Sequence, residues 1–157
     1  MFTRPLMLFA VLLSTVAGAG PVAAAAHEPD DLVRALYGEA STAMGPERMP
    51  VYFARDLEAA LDHDAAYQGQ LAAIGFDYRY GAQSAQISGL QFIPEVDNDE
   101  AKVVAVFKNF GKPNSVDWTL CRRAGGDWRI VDASSNTGAT TWDLRQILGL
   151  PADKVRC

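Results

Sequence analysis

The hydrophobic period of this chain changes once, near Gly75, and that change constrains the fold more than any other feature. Before it, apolar residues recur every three or four positions, as on helices. After it they alternate, as on strands.

The spacing predicts a first helix over Pro29 to Met44. Pro29 suits a first helical position, Asp30 and Asp31 complement the positive end of the helix dipole, and Leu32, Val33, Leu36, Tyr37 and Ala40 form one stripe. Gly45-Pro46 is the expected stop. A second helix is expected over Val51 to Tyr67, with Phe53, Leu57, Ala60 and Leu61 inward and Arg55, Glu58, Asp62 and His63 toward water.

Beyond Gly75, Phe76, Tyr78 and Tyr80 alternate with Asp77 and Arg79, as on a strand or an extended edge. Strands are expected over Ala85–Pro94, Ala101–Phe110, Ser115–Arg123 and Trp128–Ala133. In the first of these the inward parity switches between Ile87 and Leu90, which marks Ser88-Gly89 as a bulge. Asp97-Asn98-Asp99-Glu100, Gly111-Lys112-Pro113-Asn114 and Ala124-Gly125-Gly126-Asp127 are the expected turns. A short last helix follows, with Thr140 and Asp143 as an approximate capping box, Leu144, Ile147 and Leu148 as its face, and Gly149 and Pro151 as its stop. Two N-terminal helices followed by four consecutive antiparallel strands is an α+β pattern: helices packed on a curved antiparallel sheet, with a short C-terminal helix.

Residues 1–26 read as a separate unit. Arg4 supplies a basic start, Leu6 to Val16 an apolar run, and Val22-Ala23-Ala24-Ala25-Ala26 a small-residue cleavage site. The run falls short of the roughly 20 residues that span a bilayer, and Gly18, Gly20 and Pro21 interrupt any continuing helix. These features predict a cleavable export signal, followed by a single domain over residues 27–157 in the periplasm or outside the cell. No transmembrane segment is expected after cleavage. Losing Arg4 makes that domain one unit more acidic than the −5 of the whole chain. Such a balance disfavours nucleic acid, whose binding needs phosphates neutralised, and anionic lipid surfaces. In an oxidising compartment Cys121 and Cys157 are expected to pair, closing a loop of more than about 30 residues.

Several segments together resemble a known family. They are Phe76-Asp77-Tyr78, Gln83, Ile87-Ser88-Gly89-Leu90, the strand Lys102–Phe110, Trp128-Arg129-Ile130-Val131-Asp132, and Trp142-Asp143-Leu144-Arg145-Gln146-Ile147-Leu148. This run is similar to the DUF3828 group of exported bacterial proteins, within the NTF2-like (cystatin-like) superfamily. The resemblance implies a cone of helices and curved sheet, often enclosing an apolar pocket. It implies no settled activity.

Candidate chemistries are few. In some proteins of the cone an Asp or His in the pocket acts as general base, and Asp77, Asp132 and His63, with Arg79 beside Asp77, are the residues of this chain that suit such a role. Asp97-Asn98-Asp99-Glu100 lacks the alternating ligands and distal Glu of a calcium loop. His27, at the start of the mature domain, has only His63 as a second imidazole, too few ligands for copper. No G-x-S-x-G, Walker loop or G-x-G-x-x-G occurs. No catalytic set, metal or cofactor is therefore expected. The sequence reads best as a non-catalytic exported binding domain for a small apolar ligand or an envelope protein partner. The expected site is the strip Tyr52, Phe53, Phe76, Asp77, Tyr78, Arg79 and Tyr80. An isomerase- or dehydratase-type enzyme on the same cone, and an inhibitor- or immunity-type protein, are the competing readings.

Overall fold

A computed structural model describes residues 28–38, 49–67, 72–137, 141–152 and 157. The leader, His27, the helix expected beyond Gly38, the Gly45-Pro46 stop and Thr140 lie outside these described residues.

Helix α1 (Pro29–Gly38) buries Leu32, Val33, Leu36 and Tyr37, the stripe expected from its spacing. The second expected helix is broken in two. It forms α2 (Met49–Tyr52) and α3 (Arg55–Ala66), separated by extended backbone at Phe53 and Ala54. The cause is tertiary: Phe53 makes a parallel bridge to Ile130, and the Ala54 amide donates to the Ile130 carbonyl at 2.8 Å. An unbroken helix would point Tyr52, Phe53 and Ala54 in directions about 100° apart. Here all three are buried in succession.

The alternation at Phe76–Tyr80 does not produce a strand. Asp77 and Ala82 exchange backbone hydrogen bonds around a turn, and Gly81 closes it at φ 61°. The Asp77 carboxylate also accepts from the Arg79 amide at 3.0 Å, so a short-range polar bond outcompetes ladder formation. Gly81 is required twice over, because its positive φ suits glycine and a Cβ there would lie 2.8 Å from the Trp142 indole nitrogen.

The sheet is antiparallel with order β1-β2-β3-β4-β5, and β1 and β5 lie at its ends. Its strands are β1 (Ile87–Asp97), β2 (Glu100–Asn109), β3 (Lys112–Arg122), β4 (Trp128–Ser135) and β5 (Trp142–Asp143). The expected bulge is present: the β1–β2 register shifts between Ser88 and Gln91, with Gly89 at φ 64°. The β2–β3 turn sits earlier than expected, at Phe110-Gly111, so β3 already begins at Lys112. A second register shift leaves Val131 without an opposite residue on β3, and Val131 packs with Ala54 and Cys121 in a small separate cluster. Helix α4 (Leu144–Ile147) is capped by Asp143, whose side chain accepts from the Gln146 amide at 2.8 Å. The cap thus falls on Asp143, the residue expected as the second member of a box begun at Thr140.

One face of the sheet carries the core. Val103, Ala105, Val116, Trp118, Leu120, Ile130 and Ala133 are buried together with the α1 stripe, Phe53 and Leu57. Cys121 and Cys157 are joined with their Cα atoms 5.8 Å apart. Restricting the unfolded chain in this way is worth about 3–4 kcal/mol in the chain-entropy treatment. Reduction, or Cys157→Ala, is therefore expected to lower the urea unfolding free energy by about that amount. An unfolding midpoint unmoved by reductant would show that the bridge contributes nothing.

Candidate functional site

The seven residues of the expected strip come together, though not as an open surface. The Asp77–Arg79 ion pair has two contacts, Nη2 to Oδ2 at 2.7 Å and Nε to Oδ1 at 3.0 Å, and the Arg79 side chain is 3% exposed. Donating to the Asp77 carboxylate pushes the Arg79 guanidinium further up, holding its charge. Tyr37, missed as a member of this group, donates its hydroxyl to the Arg79 carbonyl and receives a bond from the Trp118 indole at 3.4 Å. Burial pushes the Tyr37 and Tyr78 phenols up, so both stay protonated. Phe53 lies edge-on to Tyr78 at 6.2 Å and to Tyr52 at 6.5 Å. Tyr80 lies under the Arg79 guanidinium, and Phe76 packs 5.3 Å from Trp142. Tyr52, Phe53, Tyr78 and Arg79 are buried, while Phe76, Asp77 and Tyr80 are half-buried. A ligand reaching the four buried residues would have to displace the core.

Of the three base candidates, His63 is exposed on α3 and Asp77 is committed to Arg79. Asp132 differs. Desolvation by burial, followed by the neighbouring Asp143 carboxyl, raises it from 3.8 to about 6. Its Oδ1 accepts from the amides of Ala133 and Arg145 at 2.8 and 3.2 Å. Asp132 lies opposite Thr119, on the face of the sheet turned away from the core. It lines neither of the grooves on that face.

Those grooves arise because β2 is apolar on both sides. Val104 lies opposite Ile93, and Val106 opposite Gln91, at positions that alternate with the buried Ala101, Val103, Ala105 and Phe107. One groove, of about 420 Å³, is lined by Gln91, Val106, Lys108, Pro113, Asn114 and Thr137 among others. A second, of about 320 Å³, lies toward the β1–β2 turn between Glu95, Lys102 and Thr119. Three large apolar side chains on or beside this region are exposed, Ile93 at 49%, Val96 at 51% and Phe110 at 57%. Phe110 occupies the β2–β3 turn with φ 48°, a left-handed conformation that bulky side chains rarely adopt. Sequence reading missed this surface, although the near-continuous apolar run over Ala101–Phe110 was its signal: a strand covered on only one face should alternate.

No group of three or more His, Cys, Asp or Glu side chains able to hold a metal occurs among the described residues. No helix among them is long and apolar enough to cross a membrane. Compared with family models, curated proteins and solved structures, the chain matches none.

The raised Asp132 carboxyl couples folding to pH. Its folded-state pKa exceeds the unfolded one, so the native state binds the extra proton, and stability falls as pH rises from about 4 to 6. Above that window the full cost of the charge is present. Asp132→Asn keeps an acceptor for both amides and removes the charge. It is expected to stabilise the protein by about 1–2 kcal/mol at pH 7.5, after allowing for solvent screening, and not at pH 4. Denaturant titrations at both pH values check this; an equal change at the two would refute the charge as its cause.

Proposed function

We propose that this chain is a non-catalytic, exported binding domain that engages an envelope protein through the outer face of its sheet and the Phe110 turn. Export is supported by the leader-like residues 1–26 and by the joined Cys121–Cys157 pair. Helices against an antiparallel sheet bent by two register shifts support the NTF2-like cone reading of the domain. Within that reading the interior is filled by the chain's own aromatic rings: Tyr37 alone meets Tyr80, Phe92 and Trp118 edge-on at 5.2–5.9 Å. That favours a protein partner over an enclosed apolar ligand.

The single observation that carries the proposal is Phe110. Folding alone favours glycine or asparagine at a positive φ, and favours a polar side chain at an exposed tip. A half-exposed aromatic held there is a preorganised anchor of the kind that dominates interface energetics. The partner would meet the face through side chains more than through the β1 edge. Pro94 lacks a donor and the Gly89 bulge interrupts the edge, both of which discourage strand addition.

Phe110→Gly separates folding from binding. It is expected to leave stability unchanged or to raise it by up to about 1 kcal/mol, because strain is relieved. In the same variant, partner affinity should fall at least about tenfold. Photo-crosslinking in the periplasm of the native host, with the probe at residue 110 or 93, should trap one discrete protein. A probe at Glu58 on α3 should not trap it. A lipid-sized adduct in place of a protein would support a carrier, and no adduct with a full loss of stability in the Gly variant would make Phe110 structural.

A further inference from the structure

A different surface, remote in kind from the apolar sheet face, gathers positive charge. A cleft of about 170 Å³ is lined by Arg55, Glu58, Arg123, Arg129 and Cys157, with Phe53 and Ala54 as its floor. Arg55, Arg123 and Arg129 thus line, together with Glu58, a space large enough for one small ion.

Arg129 is the most enclosed of them. Its side chain is 15% exposed, and its Nη2 lies 3.8 Å from Asp127, beyond hydrogen-bond reach. Nη1 donates to the Trp128 carbonyl at 2.6 Å. Its Nε is buried without a hydrogen-bond partner. Asp56 Oδ1, Asp62 Oδ1 and Trp128 Nε1 share that condition among the described residues, and Arg129 is the one that lines this cleft. Desolvation, then the neighbouring Arg123, lowers the Arg129 pKa, as expected when like charges are crowded out of water.

The floor adds field of the same sign. Helix α3, 12 residues long, begins at Arg55, and its N-cap residue Ala54 has no side chain to satisfy the first-turn amides. The positive end of the helix dipole therefore opens beside the arginines. An unpaired donor held in a buried site costs free energy.

We propose that this cleft is a binding site for a small dianionic oxyanion of the phosphate or phosphomonoester class, held between Arg123, Arg129 and the start of α3. A guanidinium fork matches two oxygens of such a group, and two forks plus a helix end suit a tetrahedral dianion better than a single carboxylate. Glu58 lines the cleft beside the arginines, and Asp127 reaches only Arg129, at 3.8 Å.

Inorganic phosphate titrated into the oxidised protein at constant ionic strength, against chloride, tests this. The Arg129 Nε–Hε signal in ¹⁵N NMR should shift saturably, and Arg123→Gln, an exposed position that spares the fold, should weaken the apparent Kd at least about tenfold. Phe110→Gly should leave it unchanged, which separates this site from the sheet-face partner. Co-sedimentation with phosphatidylcholine vesicles, with and without phosphatidic acid, distinguishes sources. Binding only with phosphatidic acid assigns a lipid headgroup, and binding of free phosphate assigns a soluble ion. No saturable shift with phosphate together with no vesicle binding, or equal binding by Arg123→Gln, overturns the proposal.

Discussion

One backbone hydrogen bond, from the Ala54 amide to the Ile130 carbonyl, organises much of this molecule. It forces the chain out of helical geometry at Phe53 and Ala54 and attaches that extended pair to β4 as though it were a short extra strand. Three consequences follow from this one constraint. Tyr52 and Phe53 enter the core together, which a continuous helix could not arrange. The first half of β4 gains a neighbour on the side where β5 pairs with the second half. Helix α3 has to start at a residue without a capping side chain, a defect worth about 1 kcal/mol relative to Ser or Asp.

The same stretch of β4 is secured from the other direction by Arg145. Its side chain is 2% exposed, yet Nη1 reaches the Val131 carbonyl at 3.1 Å and Nη2 reaches Asp56 at 2.8 Å and the Pro151 carbonyl at 3.0 Å. A buried cation is tolerable only with such complete pairing. One guanidinium therefore ties the start of α3, the edge of β4 and the segment after α4 into a single unit. Asp56 partly substitutes for the missing cap as well, since an acid in the first turn complements the helix dipole. The resulting geometry places Ala54 and Arg55 beside Arg129, so the cationic cleft is a by-product of the helix break.

Elements governed by short-range pattern were legible in the sequence. The four long strands, the Ser88-Gly89 bulge and the Gly126 hairpin follow from alternation, from the apolar run over Ala101–Phe110 and from glycine placement. The helix break was not, because Phe53, Leu57 and Leu61 keep a helical phase across it and only the Ile130 carbonyl, distant in sequence, decides otherwise. The strip at Phe76–Tyr80 misled for the opposite reason. Its alternation is real, but the Asp77 carboxylate binds the amide two residues on, and Tyr78 and Arg79, adjacent in sequence, both turn inward. The Asp132–Asp143 pair needed the β4–β5 register, which no local pattern encodes. Arg129 was legible only as part of a strand, since the unpaired state of its Nε is a property of the packed chain.

The two turns that flank β2 make the clearest internal comparison. Each joins its strands through two residues, Asn98-Asp99 on one side and Phe110-Gly111 on the other, and each opens with a residue at positive φ, 54° and 48°. At the first, asparagine meets the demand at little cost, because its short amide tolerates that conformation. At the second, where both turn residues are at positive φ and glycine supplies the other, the first position is taken by phenylalanine, which leaves more than half of itself in water. Nothing in the fold requires an aromatic there, since the ring lies outside the core cluster and asparagine serves one hairpin away. A penalty accepted at an exposed tip that the core does not need points to selection for something other than folding. In this chain the feature left to explain is an aromatic ring turned outward.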